Sequence, residues 1–266
     1  MATRDALNTP RPGLRQEARL DAITELVLNS GTVRIDDLSE AFQVSSMTIH
    51  RDLDTLDQKG ILRKTRGAAT AVASSLFEAS PEYRIRQSKG AKEAVARAAF
   101  AQIEPGQAVM LDDSTTGLHL AGMLSQKQPL TVITNFQRVI DLLIDHPGIQ
   151  TISTGGQYYK WCAAYMGTIA LNALHLLRAD IVFMSSPAVT NGVCYHQHHD
   201  AVLIKQAMIE AAERSVLYLD HSKFSMRALH AHLSVGDFDT VIVDDKTAPE
   251  HLEQIRETGV ELIIAS

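Results

Sequence analysis

Cysteine is nearly missing from this sequence: Cys162 and Cys194 are the only two among 266 residues. Two thiols cannot staple a chain of this length, so the sequence is expected to be reduced and cytoplasmic rather than disulfide-built. Aromatic residues are also scarce, at 5%, with a single tryptophan, Trp161. No apolar run reaches the roughly 18 residues that a membrane span needs. The opening stretch MATRDALNTPRPGLRQEARL lacks the apolar centre of a secretory leader, and no membrane partner is expected. A basic excess is lacking too. The net charge is −6, which excludes a uniformly basic nucleic-acid coat. Against these absences stand 45% hydrophobic and 21% charged residues, enough for a sizeable core in one or two domains.

The charge is unevenly spread. Residues 1–75 carry ten basic and ten acidic side chains, whereas residues 76–266 carry 15 and 21. Within the neutral part, Lys59, Arg63, Lys64 and Arg66 form a basic spot with no acid between them. Such a spot steers polyanions locally.

Residues 1–13 show no apolar periodicity and read as a frayed tail. From Arg15 to Leu28, Ala18, Ile23, Leu26 and Val27 fall at helical spacing, with Gly31 as the stop. Asp36 to Phe42 suits a short helix with an aspartate as N-cap. Gln43 and Val44 make a turn. Ser45 then caps a longer helix through Thr48, Ile49, Leu53 and Leu56, which ends at Lys59-Gly60. Ile61 to Lys64 and Ala68 to Ala71, around Arg66-Gly67, suit a hairpin.

Residues 71–88 break the pattern with Ser, Pro and charges, and read as a linker. Beyond them, apolar runs at 108–111, 130–134, 149–153, 181–184, 215–219, 240–243 and 260–264 alternate with helical stretches near 89–103, 116–126, 136–145, 166–178, 200–213 and 249–258. That alternation predicts a mostly parallel sheet covered by helices on both faces.

Two helices joined by a short turn are a helix-turn-helix arrangement. Small polar residues in the first turn of the second helix can enter the major groove and bond base edges and phosphates. Ser45, Ser46, Met47, Thr48, His50 and Arg51 supply this face, with Ile49 and Leu53 turned to the core and Met47 set to meet a thymine methyl. Arg63, Lys64 and Arg66 of the hairpin would lie on the DNA backbone or in the minor groove. A capped helix with a solvated face accounts for the same residues. The longer pattern is more specific: Arg19, Ile23, Gly31, Leu38, Phe42-x-Val44-Ser45-x-x-Thr48-Ile49-x-Arg51-Asp52-Leu53-x-x-Leu56, Gly60-x-Leu62 and the run to Gly67 resemble the DeoR family of bacterial transcriptional regulators. Two departures stand out. His50 occupies a position where the family usually has a second Arg, and Gly67-Ala68 replaces its Gly-Gly.

The resemblance extends through Leu111-Asp112-Asp113-Ser114-Thr115-Thr116, Thr134-Asn135, Gly155-Gly156, Asp200 to Lys205, and Asp220-His221-Ser222-Lys223-Phe224. It implies an α/β chain with a winged helix-turn-helix domain at 15–70 and an effector-binding and oligomerisation domain at 89–266. The second domain is expected to be similar to ribose-5-phosphate isomerase. Physically, Asp112 to Gly117 follows a buried strand and opens a helix, where hydroxyls and N–H groups favour an anion. A phosphate is expected on Ser114, Thr115 and Thr116, with Asp112 accepting sugar hydroxyls. Ser114 stands where the family commonly has Gly. Thr134, Asn135, Gly155 and Gly156 end further strands, and Lys223 is placed to pair with a phosphate or carboxylate. Capping and chain turning account for these residues as well. Asp200 and Lys205, five apart, serve different neighbours.

The expected function is a repressor of carbohydrate catabolism genes. Its partners are operator double-stranded DNA, a phosphorylated sugar or sugar-like effector, and further copies of itself as a dimer or tetramer. No cofactor, metal or catalytic residue is assigned. Two alternatives remain open. A sugar-phosphate isomerase needs a general base, and the loop Met184 to Thr190 contains no acid, although Asp200 and Asp220 remain available. A metal sensor would use His196, His198 and His199, which also suit sugar contact or packing. Trp161 fits either a sugar face or a subunit contact.

Overall fold

Ala22, Ile23, Leu26 and Val27 bury one stripe of the first helix, α1 (Gln16–Ser30), in a small apolar core. The chain continues through β1 (Thr32–Arg34), α2 (Ile35–Phe42), α3 (Ser46–Gln58), β2 (Leu62–Thr65) and β3 (Ala68–Ala71). A computed structural model describes residues 13–30, 32–58, 61–71 and 81–266 of the chain. The expected stops at Gly31 and Lys59-Gly60, the tail up to residue 12 and the linker residues 72–80 lie outside the described residues.

Leu38, Phe42, Ile49, Leu53, Leu56, Leu62 and Ala69 complete that core. Full burial of each large side chain is worth about 1.5–3 kcal/mol. β2 and β3 form the expected hairpin, and β1 adds to the other edge of β3, giving an antiparallel sheet in the order β1-β3-β2. The third strand corrects the aspartate cap expected for α2. Arg34 ends β1 and is itself the N-cap, with no side-chain bond, and the Ile35 N–H donates to the Gly67 carbonyl at 3.0 Å. Asp36 and Asp37 instead occupy the first turn, where their charge complements the helix dipole.

Contacts divide the chain into two units, Met1–Ala79 and Ser80–Ser266. The second begins with α4 (Pro81–Arg86), which the sequence assigned to the linker, and α5 (Lys89–Ala101). It proceeds through β4 (Ala108–Leu111), α6 (Thr115–Ala121), β5 (Leu130–Thr134), α7 (Gln137–Leu143), β6 (Ile149–Ser153), β7 (Gln157–Tyr159) and β8 (Ala164–Met166). Next come α8 (Thr168–His175), β9 (Ala179–Met184), β10 (Ala188–Thr190), β11 (Val193–His196), α9 (His199–Glu210) and β12 (Ala212–Leu219). β13 (His230–Ser234), β14 (Thr240–Asp244), α10 (Pro249–Glu257) and β15 (Glu261–Ala265) close the chain.

Seven of these strands form one parallel sheet in the order β15-β14-β12-β9-β4-β5-β6. They are the seven apolar runs read from the sequence. α5, α6 and α7 pack on one another as one group, and α8 and α9 as a second. From β4 the chain runs outward through β5 and β6, then returns to build β9, β12, β14 and β15 on the other side. The switch point therefore lies between β4 and β9, and ligands of open α/β sheets bind beyond the carboxyl ends at that place. Two small antiparallel sheets, β7-β8 and β10-β11-β13, were not expected.

Candidate functional site

In the first unit, α3 begins where the Thr48 N–H donates to Ser45 Oγ at 3.2 Å. Ile49, Leu53 and Leu56 are drawn into the core, which leaves Ser45, Ser46, Met47 and Arg51 exposed and Thr48 and His50 half-buried. Met47 is 65% exposed on this first turn. On the opposite side of α3, buried Asp52 receives Arg19 Nε at 2.6 Å and Nη2 at 3.2 Å. This bidentate fork ties α1 to α3, and so fixes the helix whose other face is free.

The hairpin is joined to the same helix. Lys64 Nζ donates to Asp54 at 2.5 Å and to the His50 carbonyl at 3.4 Å, which leaves Arg63 and Arg66 as the exposed cations of the wing.

In the second unit, Asp112 lies just past β4 at the switch point, fully buried. Its Oδ1 accepts from the Ser114 N–H at 3.1 Å, and its Oδ2 from the Ser185 N–H at 2.9 Å and from Lys205 Nζ. Lys205, 2% exposed, also donates to the Ser185 carbonyl at 2.9 Å and lies 3.7 Å from Asp113. The carboxylate expected to accept sugar hydroxyls thus has both oxygens engaged, and it binds β4, β9 and α9 together. Asp200, on the first turn of α9, instead accepts from the Tyr159 hydroxyl at 2.7 Å.

The hydroxyls of the next turn are committed as well. Ser114 Oγ accepts from the Gly117 N–H at 3.0 Å and bonds the Tyr218 hydroxyl at 3.0 Å. Tyr218 thus gives the Ser114 side chain a structural partner. Thr115 Oγ1 accepts from Lys92 Nζ at 3.0 Å, and Thr116 is buried. Thr134 Oγ1 accepts from the Phe136 N–H at 3.1 Å. Asn135 donates to the Tyr165 carbonyl at 3.1 Å, while its buried Oδ1 has no hydrogen-bond partner among the described residues. Gly155 and Gly156 have φ of 60° and 112°, and a Cβ at 156 would sit 2.7 Å from the Met166 carbonyl oxygen.

A cationic group occupies the same edge. Asp220, past β12, faces Lys223 Nζ at 3.6 Å and accepts from Ser222 at 3.1 Å. Lys92 of α5, 2% exposed, reaches Thr115 and the Arg84 carbonyl of α4. Burial and the Lys223 charge push the Lys92 ammonium down to about 7, against the pull of Asp220 and with a further push from Arg84. Burial would raise the Asp220 carboxyl, but Lys223, Ser222 and Lys92 together hold it below its ordinary value.

The three histidines diverge. His196 is buried and accepts at Nδ1 from the His198 N–H at 3.0 Å. Burial and Lys205 hold it near 3, so it is neutral. The His198 ring lies 3.9 Å from that of Trp161, and His199 meets His230 edge-on at 5.6 Å. Among the described residues no three His, Cys, Asp or Glu side chains come together as a metal set. None of these residues belongs to a helix long and apolar enough to cross a membrane, and no other described helix is one either.

Sequence reasoning missed Lys92, which looks like any charged residue on a helix face, and the pairing of Arg19 with Asp52. It also passed over Asn191-Gly192. These have φ of 51° and 73° and join β10 to β11 in a type I′ turn, a signal the dipeptide itself carries.

Comparison with known proteins agrees with both units. The DeoR C-terminal sensor domain matches residues 87–245, and the DeoR-like helix-turn-helix domain residues 19–75. A putative aga operon transcriptional repressor of Escherichia coli O157:H7 is 31% identical, with 99% of each chain covered. The lactose phosphotransferase system repressor of Lactococcus lactis subsp. lactis is 28% identical over 91% of this chain and 96% of its own. Ribose-5-phosphate isomerase A of Methanocaldococcus jannaschii superposes with a TM-score of 0.38 and 15% identity, over 51% of this chain and 54% of its own, a level at which no chemistry transfers. With a sensor-domain match over more than half its length and a full-length relative, this chain belongs to the DeoR family of transcriptional regulators.

Proposed function

We propose that the chain is a cytoplasmic repressor of carbohydrate catabolism genes that is released by a phosphorylated sugar. The observation that carries the effector assignment is the pairing of Lys92 and Lys223 around the single carboxylate of Asp220, at the carboxyl end of a parallel sheet. Two lysines against one carboxylate leave Lys92 short of a counter-charge, and an anion set there favours its charged form. Near the switch point of the same sheet, the open Oδ1 of Asn135 awaits a donor such as a sugar hydroxyl. Relatives named for an aga operon and a lactose transport system fit that ligand class.

Ser45, Ser46, Met47, Thr48, His50 and Arg51 read the operator, and Arg63 and Arg66 hold its backbone, while Lys64, bound to Asp54, positions the wing. A two-fold operator requires two copies of the helix, so the working form is a dimer or tetramer. The effector shifts the equilibrium only if it binds the DNA-incompetent state more tightly. An isomerase reading is disfavoured because Asp112 is held by three donors and the loop after β9 offers no acid.

Arg51→Ala is expected to weaken operator binding by about 1–3 kcal/mol while leaving the thermal midpoint in place. Unchanged affinity removes the assigned reading helix. In a thermal-shift series, a phosphorylated sugar is expected to raise the midpoint where the unphosphorylated sugar does not. Turnover of a sugar phosphate by the purified protein would transfer the assignment to the enzyme class.

A further inference from the structure

Helices α8 and α10 belong to the same unit, yet their outer faces differ in kind. The exposed residues of α10 are Pro249, Glu250, Glu253, Gln254, Arg256 and Glu257, as befits a helix turned to water. Those of α8 and its C-cap are Thr168, Ile169, Asn172, His175 and Leu176, with no Asp, Glu, Lys or Arg among them. Leu176 and Ile169, 86% and 70% exposed, are the two most exposed large apolar side chains among the described residues. They lie two turns apart on one face, with Asn172 and Ala173 midway between them. The lack of charge reaches beyond the helix. Lys160 is the single Asp, Glu, Lys or Arg from residue 146 to residue 177, in a chain of which 21% is charged. β7 adjoins the first turn of α8, where a Cβ on Gly156 would lie 3.1 Å from the Ala170 Cβ, and β7 adds Tyr158, 45% exposed.

We propose that this face of α8 is where a second copy of the chain docks about a two-fold axis. The inference rests on the two-copy reading above and gives it a surface. Loss of charge together with apolar and aromatic side chains is the compositional mark of an interface core. The occupant follows from charge and spacing. Residues 76–266 carry 15 basic and 21 acidic side chains, so two copies repel each other, and an uncharged face brings them together at least cost. A basic partner, by contrast, gains more from an acidic face such as that of α10. In a two-fold contact each residue pair occurs twice, once in each direction. Antiparallel α8 helices centred on Asn172 and Ala173 set Ile169 of one copy against the partner's Leu176, and Leu176 against the partner's Ile169. Ala173 lets the helices approach closely, and the two Asn172 amides bond each other at the axis.

Sedimentation of the full-length protein tests this, with wild type expected as a dimer or tetramer. Leu176→Glu and Ile169→Lys each set a charge against an apolar side chain. Each is expected to weaken association about a hundredfold and to halve the mass at micromolar concentration. Helix content by circular dichroism is expected to stay at the wild-type level, because both side chains are exposed in the single chain. Combining Ile169→Lys with Leu176→Glu opposes unlike charges across the axis, and is expected to recover much of the association. Asn172→Cys is expected to give a disulfide-linked pair under mild oxidation, Cys162 and Cys194 being buried, whereas Glu253→Cys on α10 stays unlinked. If wild type associates but both charged variants keep its mass and Asn172→Cys stays unlinked, the α8 surface is overturned while the two-copy reading stands on another face. A wild type that is monomeric both free and on operator DNA ends the two-copy reading and this inference with it. If the charged variants do not fold, the linking of Asn172→Cys decides.

Discussion

The two units place their functional side chains under opposite conditions. On α3 the candidate residues are exposed or half-buried; Ser45, Ser46 and Thr48 make hydrogen bonds that shape the helix start, and the His50 carbonyl accepts from Lys64 of the wing. At the sheet edge Asp112, Lys205, Lys92 and Asp220 are buried and engaged within the protein, Asp112 with Lys205, Asp220 with Lys223 and Lys92 with Thr115. The difference follows from the partners. Phosphates and base edges arrive on a wet surface and displace counterions, whereas a small anion gains most where water is excluded. On the proposed roles, one unit separates reading from stability and the other merges sensing with stability.

That contrast sets the scale of what substitutions do. The largest effect is expected from Asp112→Ala, which leaves Lys205 buried beside Ser185 without its main counter-charge. Breaking such a pair costs about 3–5 kcal/mol, read from urea unfolding. Acid comes next. His196 and His232 are both held near 3, each mainly by burial and then by Lys205, against an ordinary 6.5. They are neutral in the fold, so their contribution is intact above pH 6.5 and is lost as pH falls toward 3. Each is expected to cost about 2 kcal/mol by pH 5, and His232→Gln should flatten part of that decline in midpoints measured at pH 7 and 5.

Gly156→Ala is expected to cost about 1–3 kcal/mol, because its positive φ and the Met166 carbonyl both reject a Cβ; the sensor-unit midpoint reports it. Smallest of all is Met47→Ala, expected within about 0.5 kcal/mol of wild type in stability. A change in its operator preference, with stability unmoved, would show that the two roles are separate on α3. A large loss of stability there would erase the contrast.

Legibility followed the range of the interactions. The inner sheet strands β4, β5, β9 and β14 are short apolar runs, largely buried, and so stood out without tertiary information; the edge strands β6 and β15 are more exposed but kept enough apolar residues to be read. α3 and its Ser45 cap were legible because a cap, an apolar spacing and a stop lie within fifteen residues. β1 was not, since three residues are too few to show alternation. The Asp112–Lys205 pair spans 93 positions and Arg19–Asp52 spans 33, and no local pattern joins such partners. Lys92 was missed for the same reason: its meaning comes from Lys223, Asp220 and Arg84, none of which is adjacent to it. Asn191-Gly192 was the one local signal passed over, and its hairpin carries Cys194 beneath the turn.

Both thiols are sealed from solvent, and burial drives that of Cys194 up to about 12, while Cys162 lies against the Tyr159 carbonyl. Thiolate is the form that peroxides and electrophiles attack. Attack at either cysteine of the folded chain therefore requires the sensor unit to open first.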